Sequence, residues 1–114
     1  MRSELRPWGT YEILYDGNDC KVKKIIVNSD QTLSYQYHHK RNEHWIVISG
    51  EGQVKIDDEL RTISSGDTIF IPALAKHTIT NTDLEIPLVF IEVQTGSYFG
   101  EDDIVRLEDK YGRA

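Results

Sequence analysis

The sequence has little of what marks a secreted, membrane or nucleic-acid-binding protein. Its single cysteine, Cys20, cannot form an internal disulfide, which fits a reducing compartment. No apolar run approaches the roughly 20 residues that span a bilayer, and no basic-then-apolar leader opens the chain. Positive charge is in deficit: 13 Lys and Arg face 19 Asp and Glu, a formal net charge of −6. That balance argues against nucleic acid or an anionic membrane as a partner. Internal repeats, low-complexity tracts and Pro- or Ser-rich linkers are missing as well. With 114 residues, the expectation is one soluble, cytoplasmic domain over 1–114.

What is present is a succession of short β-rich runs, each closed by a turn signal. Runs over 22–27, 32–39, 45–48, 53–56, 60–63, 68–71, 77–80 and 86–94 end at Gly, Pro, Asn, Asp or Ser clusters. This spacing predicts an all-β sandwich or barrel, most economically an eight-stranded double sheet whose closure limits exposed edges. Helix signals are sparse. Residues 101–111 begin with three acids and space Ile104, Leu107 and Tyr111 like one face of a helix, so a short C-terminal helix or ordered tail is expected. Arg6-Pro7-Trp8-Gly9 reads as a turn whose tryptophan packs an N-terminal arm onto the barrel or a partner subunit.

Three of the four histidines, His38, His39 and His44, fall within seven residues, and His77 follows the turn at Pro72. The first cluster reads Asp30-x5-Gln36-x-His38-x4-Glu43-x6-Gly50, the second Gly66-x5-Pro72-x-Leu74-x2-His77-x3-Asn81. These spacings resemble the two cupin motifs. The fold implied is a double-stranded β-helix (cupin jelly roll). Gln36 and His38, two apart, share one face of a strand. Glu43 re-enters from the next strand, and His77 completes the set from across the barrel. One amide oxygen, two imidazoles and one carboxylate suit a divalent metal, with Zn first and Mn, Co, Ni or Fe as the other ions. A second register, Tyr37-x-His39-x3-Glu43, also fits the permitted spacing and moves the ligand to His39.

A longer resemblance covers nearly the whole chain. Arg6-Pro-Trp-Gly-x-Tyr-Glu-Ile-Leu14, Leu33-Ser-Tyr-Gln-Tyr-His-His39, Glu43-His-Trp45 and Val47-x-Ser-Gly50 look like the class II phosphomannose isomerase domain. So do Ile71-Pro-Ala73, Lys76-His77, Ile91-Glu-Val-Gln-x-Gly-Ser-Tyr98, Gly100-Glu-Asp-Asp-Ile-Val-Arg106 and Tyr111-Gly-Arg113. Leu33-Ser-x-Gln36-x-His38 is in addition similar to a string of class I phosphomannose isomerases in which the Gln and His bind zinc, which supports the Gln36/His38 register.

The resemblance implies a domain that otherwise forms the C-terminal part of a bifunctional mannose-1-phosphate guanylyltransferase/mannose-6-phosphate isomerase. The implied reaction interconverts mannose 6-phosphate and fructose 6-phosphate, feeding mannose toward GDP-mannose and polysaccharide synthesis. Gln36, His38, Glu43 and His77 are then the metal ligands. A ligating carboxylate makes a poor free base, so the proton carrier is sought among His39, His44, Lys76 and Glu92. The phosphate needs local positive charge, for which Arg106, in the C-terminal signature, ranks ahead of Lys40, Arg41, Lys76 and Arg113. Lys40 and Arg41 read as solvated loop residues and Trp45 as core. Glu92 and Gln94 share a face of an otherwise apolar strand and are expected to face the pocket. A small two-sheet cupin with an N-terminal arm implies a homodimer.

Departures from the pattern qualify the substrate more than the metal. Asp30 and Leu74 replace glycines, and Lys40 stands where related sequences often have a third histidine. Leu at 74 is expected to alter the loop before His77 and narrow the pocket mouth. The competing readings are a cupin acting on another sugar phosphate or nucleotide sugar, and a non-catalytic sugar-binding cupin.

Overall fold

A computed structural model describes residues 2–109 and 111–112. Within them eleven strands form two antiparallel sheets: β1 (Arg2–Arg6), β2 (Gly9–Asp16), β3 (Cys20–Val27), β4 (Tyr35–Tyr37), β5 (Arg41–Ser49), β6 (Glu51–Ile56), β7 (Glu59–Ser64), β8 (Thr68–Ile71), β9 (His77–Asn81), β10 (Leu88–Gly96) and β11 (Val105–Glu108). One sheet has the order β1-β2-β3-β10-β5-β8, the other β11-β4-β9-β6-β7. Among the described residues, no helix is long and apolar enough to cross a membrane.

The eight expected strands are all found, and three more are added. The N-terminal arm is a hairpin, β1 against β2, turning at Pro7 and Trp8, with Trp8 buried in the core. Among the described residues, 101–109 and 111 hold no helix. A turn over Gly100 to Asp103 leads into β11, which pairs with β4 through Val105↔Tyr37 and Arg106↔Gln36. The pairing covers an edge of the short β4, and that gain overrides the weak helical spacing.

Alternation divides the barrel interior into two ends. At one end Ile25, Val27, Val47, Val54, Ile79, Leu88 and Phe90 are buried together, each contributing about 1.5–3 kcal/mol. At the other end the same strands turn polar groups inward. Cross-strand register aligns Lys23 with Glu92 and Lys21 with Gln94, while Gln94 in turn faces Glu43. Residues directly opposite share a face, so β3, β10 and β5 build one polar wall. On the other sheet Gln36 pairs with both Arg106 and His77.

The loops keep the motif's backbone despite its substituted residues. Gly50 and Gly66 both have φ of 91°, and Asp30 and Leu74 occupy the same left-handed region at 58° and 74°. The Leu74 amide donates to the His38 carbonyl at 2.8 Å, tying this turn to the site. The side chain points outward, 58% exposed, and does not line the pocket, so the expected narrowing of the mouth is not found. Left-handed backbone costs a leucine about 1–2 kcal/mol, and the exposed side chain has little burial to lose. Leu74→Gly is therefore expected to stabilise the domain by about 1 kcal/mol in urea unfolding, without changing its far-UV spectrum.

Candidate metal centre and its pocket

His38 directly after β4, Glu43 on β5 and His77 opening β9 bring three donor atoms within 4.8 Å of one another, all from buried side chains. His38 Nε2 lies 3.1 Å from Glu43 Oε2, and His77 Nε2 lies 3.8 Å from Glu43 Oε1. Hydrogen bonds behind the rings set the tautomers. The Nδ1 atoms lie 2.6 Å from the Asp103 carbonyl for His38 and 2.9 Å from the Ala75 carbonyl for His77. A carbonyl only accepts, so each Nδ1 carries the hydrogen and each Nε2 turns a lone pair toward Glu43. Among the described residues, the buried His77 Nε2 has no hydrogen-bond partner. Two imidazole lone pairs, one of them orphaned, and a carboxylate are a donor set that fits a divalent cation. Gln36, opposite His77 in register, lines the pocket that Glu43 also lines.

Of the two registers, His38 enters the cluster and His39 stays outside it. The His39 side chain is 55% exposed, beside Asp103 at 3.7 Å. His44 faces outward from β5 with its ring against Phe70 at 4.8 Å, and Lys76 is exposed; neither lines the pocket. The six sequence candidates that the fold assembles are thus Gln36, His38, Glu43, His77, Glu92 and Arg106. Lys40 is exposed with its ammonium over the Tyr98 ring, and Arg113 lies outside the described residues.

Arg41 is the main correction. Expected to be solvated, it is buried at the start of β5, with its Nε and Nη2 at 3.0 and 2.9 Å from Glu43 Oε2 and Nη2 at 3.2 Å from His38 Nε2. The Trp45 indole donates to Glu43 Oε1 at 2.9 Å. Burial alone would raise the Glu43 pKa. A hydrogen bond from Glu92 and the charge of Arg41 instead hold it well below the carboxylate range. Burial and the adjacent Glu43 push Glu92 up to about 8. The two carboxyls thus share one proton, carried by Glu92, whose Oε2 also accepts from the Gln94 amide at 3.1 Å. Burial lowers the His77 pKa, keeping its lone pair available.

Sequence reasoning missed four further residues. Asp103 accepts from the His39 and Lys40 amides at 3.0 and 2.9 Å, fixing the segment between two ligands. Lys23 and Glu101 line the pocket, and so does Arg6 from β1. The one available signal for Lys23 was the Lys21-x-Lys23 alternation, matched by Glu92-x-Gln94.

Residues 1–109 match the protein family described as mannose-6-phosphate isomerase C-terminal. The chain belongs to that family. Within it, the xanthan biosynthesis protein XanB of Xanthomonas campestris is 47% identical over 112 residues, covering 98% of this chain and 24% of that protein. The alginate biosynthesis protein AlgA of Pseudomonas aeruginosa is 49% identical over 108 residues, covering 95% and 22%. The mannose-1-phosphate guanylyltransferase ManC of Salmonella typhimurium is 45% identical over 112 residues, covering 98% and 23%. The chain spans about a quarter of the length of these relatives. Among solved structures, the capsular polysaccharide assembling protein CapF of Staphylococcus aureus superposes with a TM-score of 0.78 at 23% identity, over 94% of this chain and 34% of that one. An RmlC-like cupin from Shewanella frigidimarina gives 0.70 at 19%, over 82% and 78%. These likenesses establish the cupin double-stranded β-helix.

Two outcomes check the centre. His38→Ala and His77→Ala are each expected to weaken Zn²⁺ binding by more than about 100-fold, since even outer partners of ligands are worth roughly 10- to 100-fold; His39→Ala retains the metal, as read by elemental analysis. Chelated protein tests the shared proton. An acid whose pKa is raised on folding contributes stability below its unfolded value and loses it as pH rises through the folded one. For Glu92 that window runs from 4.5 to about 8. Melting temperatures should therefore shift in favour of Glu92→Gln over the parent across it.

Proposed function

We propose that this domain is a metal-dependent aldose–ketose isomerase interconverting mannose 6-phosphate and fructose 6-phosphate. The observation that carries this reading is one pocket lined by Glu43, a member of the His38–Glu43–His77 cluster, together with a buried, protonated carboxyl and four cationic side chains, Arg6, Lys23, Arg41 and Arg106. In a chain of net charge −6 such a concentration of positive groups in a cleft suits an anionic substrate. The names of the relatives, in mannose 1-phosphate, xanthan and alginate chemistry, agree with a mannose phosphate.

Gln36, His38, Glu43 and His77 would hold the ion, and their mixed N/O donor set suits Zn²⁺. A divalent ion supplies electrophilic polarisation of neighbouring substrate oxygens, which acidifies the C–H bond between them. The reaction moves one proton between C1 and C2 through a cis-enediol. Glu92 is the carrier: its resting proton leaves to solvent, and the carboxylate so formed accepts the proton from one carbon and then returns it to the other. A pKa displaced toward neutrality matches that double role. Trp45 and Arg41 hold Glu43 in place by hydrogen bonds and keep it from competing as the base. Arg106, beside Gln36 on β11, binds the substrate's anionic end. The proposal includes a homodimer, supported by the outer face of the six-stranded sheet, where Ile46, Ile48 and Phe70 remain exposed.

Turnover decides the reading. Zinc-loaded protein is expected to convert mannose 6-phosphate to fructose 6-phosphate in a coupled assay, and chelated protein is not. Glu92→Gln should lower kcat by about 100-fold or more while retaining bound metal. No turnover by the metal-loaded domain would overturn the isomerase and leave action on another sugar phosphate, or sugar binding without catalysis.

A further inference from the structure

Lys21 and Lys23 lie two apart on the inner face of β3, with side chains only 8% and 5% exposed. Both ammonium groups converge on one oxygen, Glu101 Oε2, at 3.1 and 2.8 Å. Lys21 also donates to the Phe99 carbonyl at 3.2 Å, and Lys23 sits 4.2 Å above the Tyr11 ring centroid. Two buried ammonium ions against a single carboxylate leave an excess of positive charge where one lysine would have made a structural ion pair. The surroundings enlarge the excess. Arg6, Lys23, Arg41 and Arg106 line the pocket with Glu43, Glu92 and Glu101, Lys21 lies beside them, and Glu4 pairs with Arg6 at 3.4 Å, so these five cations face four carboxyls, of which Glu92 is protonated.

Glu101 is the exposed member of the trio. Its side chain is 44% accessible and reaches in from the turn between Gly100 and Asp103. The two lysines are set in the rigid middle of a sheet, between β2 and β10. An anion that is exposed, and carried on a turn, can leave; the cations beneath it cannot.

We propose that Lys21 and Lys23 form the seat of a phosphate monoester dianion, and that Glu101 is an internal carboxylate occupying that seat until the phosphate displaces it. The inference deepens the sugar-phosphate reading by assigning the phosphate end of the substrate, and it rests on that reading only for the source of the dianion. The displaced Glu101 turns outward to solvent. Arg106 and Arg41 complete the field around the bound group from the other side of the pocket.

Calorimetric titration of the zinc-loaded domain with inorganic phosphate tests the seat. The parent protein is expected to bind phosphate, and Glu101→Gln to bind it about tenfold more tightly, because one charged competitor has been removed. Lys21→Met and Lys23→Met should each weaken binding by about tenfold. Unchanged or weaker binding by Glu101→Gln would make Glu101 a structural counter-ion and overturn the proposal, as would full affinity in both lysine variants. Should a substitution unfold the domain, hydrogen exchange on the parent protein decides instead. Saturating phosphate is expected to speed exchange of the amides over residues 99–103, and unchanged or slower exchange there overturns displacement. Turnover remains a separate outcome: a domain that isomerises mannose 6-phosphate without this phosphate response keeps its function and loses this inference, and the converse result does the opposite.

Discussion

The polar end of this barrel is organised around one buried anion. Glu43 lies on the inner face of a central strand, where an unpaired carboxylate would be too costly to keep. Three polar neighbours answer that cost: Arg41 supplies charge, and Trp45 and protonated Glu92 supply hydrogens. His38 and His77 turn Nε2 lone pairs toward the same oxygens, the arrangement a cation would complete. Moving Glu43 would strand a guanidinium and an indole N–H at once. The geometry of the centre is therefore a consequence of charge compensation as much as of ligand spacing.

The apolar end makes this possible. Ile25, Val27, Leu88 and Phe90 continue the same strands that carry Lys21, Lys23, Glu92 and Gln94 inward. Their burial holds β3 and β10 in register, so the polar rows cannot slip without exposing the core. Stability and chemistry thus occupy opposite ends of one set of strands.

Much of this was legible in the residues. The period of turns revealed an all-β chain, and the spacing from Gln36 to His77 marked the three residues that meet. The motif's glycine positions were legible even where the residue was wrong: Asp30 and Leu74 adopt the positive φ that the pattern asks for. What was hidden depends on contacts between distant segments. Nothing local distinguishes Arg41, which is buried by Glu43, from Lys40, which is exposed one residue earlier. In β3 the alternation put lysines inside and Val22 outward, the reverse of what hydropathy suggests, because the lysines find partners 78 to 80 residues away. The spacing of Ile104, Leu107 and Tyr111 was helical, yet an edge of β4 claimed the segment as a strand.

That claim has a consequence for how the molecule opens. The pocket is walled by Arg6 near one end of the chain and Arg106 near the other, on β1 and β11, each at the margin of its sheet. Marginal strands ordinarily detach at the lowest free-energy cost and do so independently. Here a ligand gripping both walls would bind only while both strands are docked, so its binding energy is shared between them through linkage. Occupancy of the pocket would make the two margins fray together or not at all.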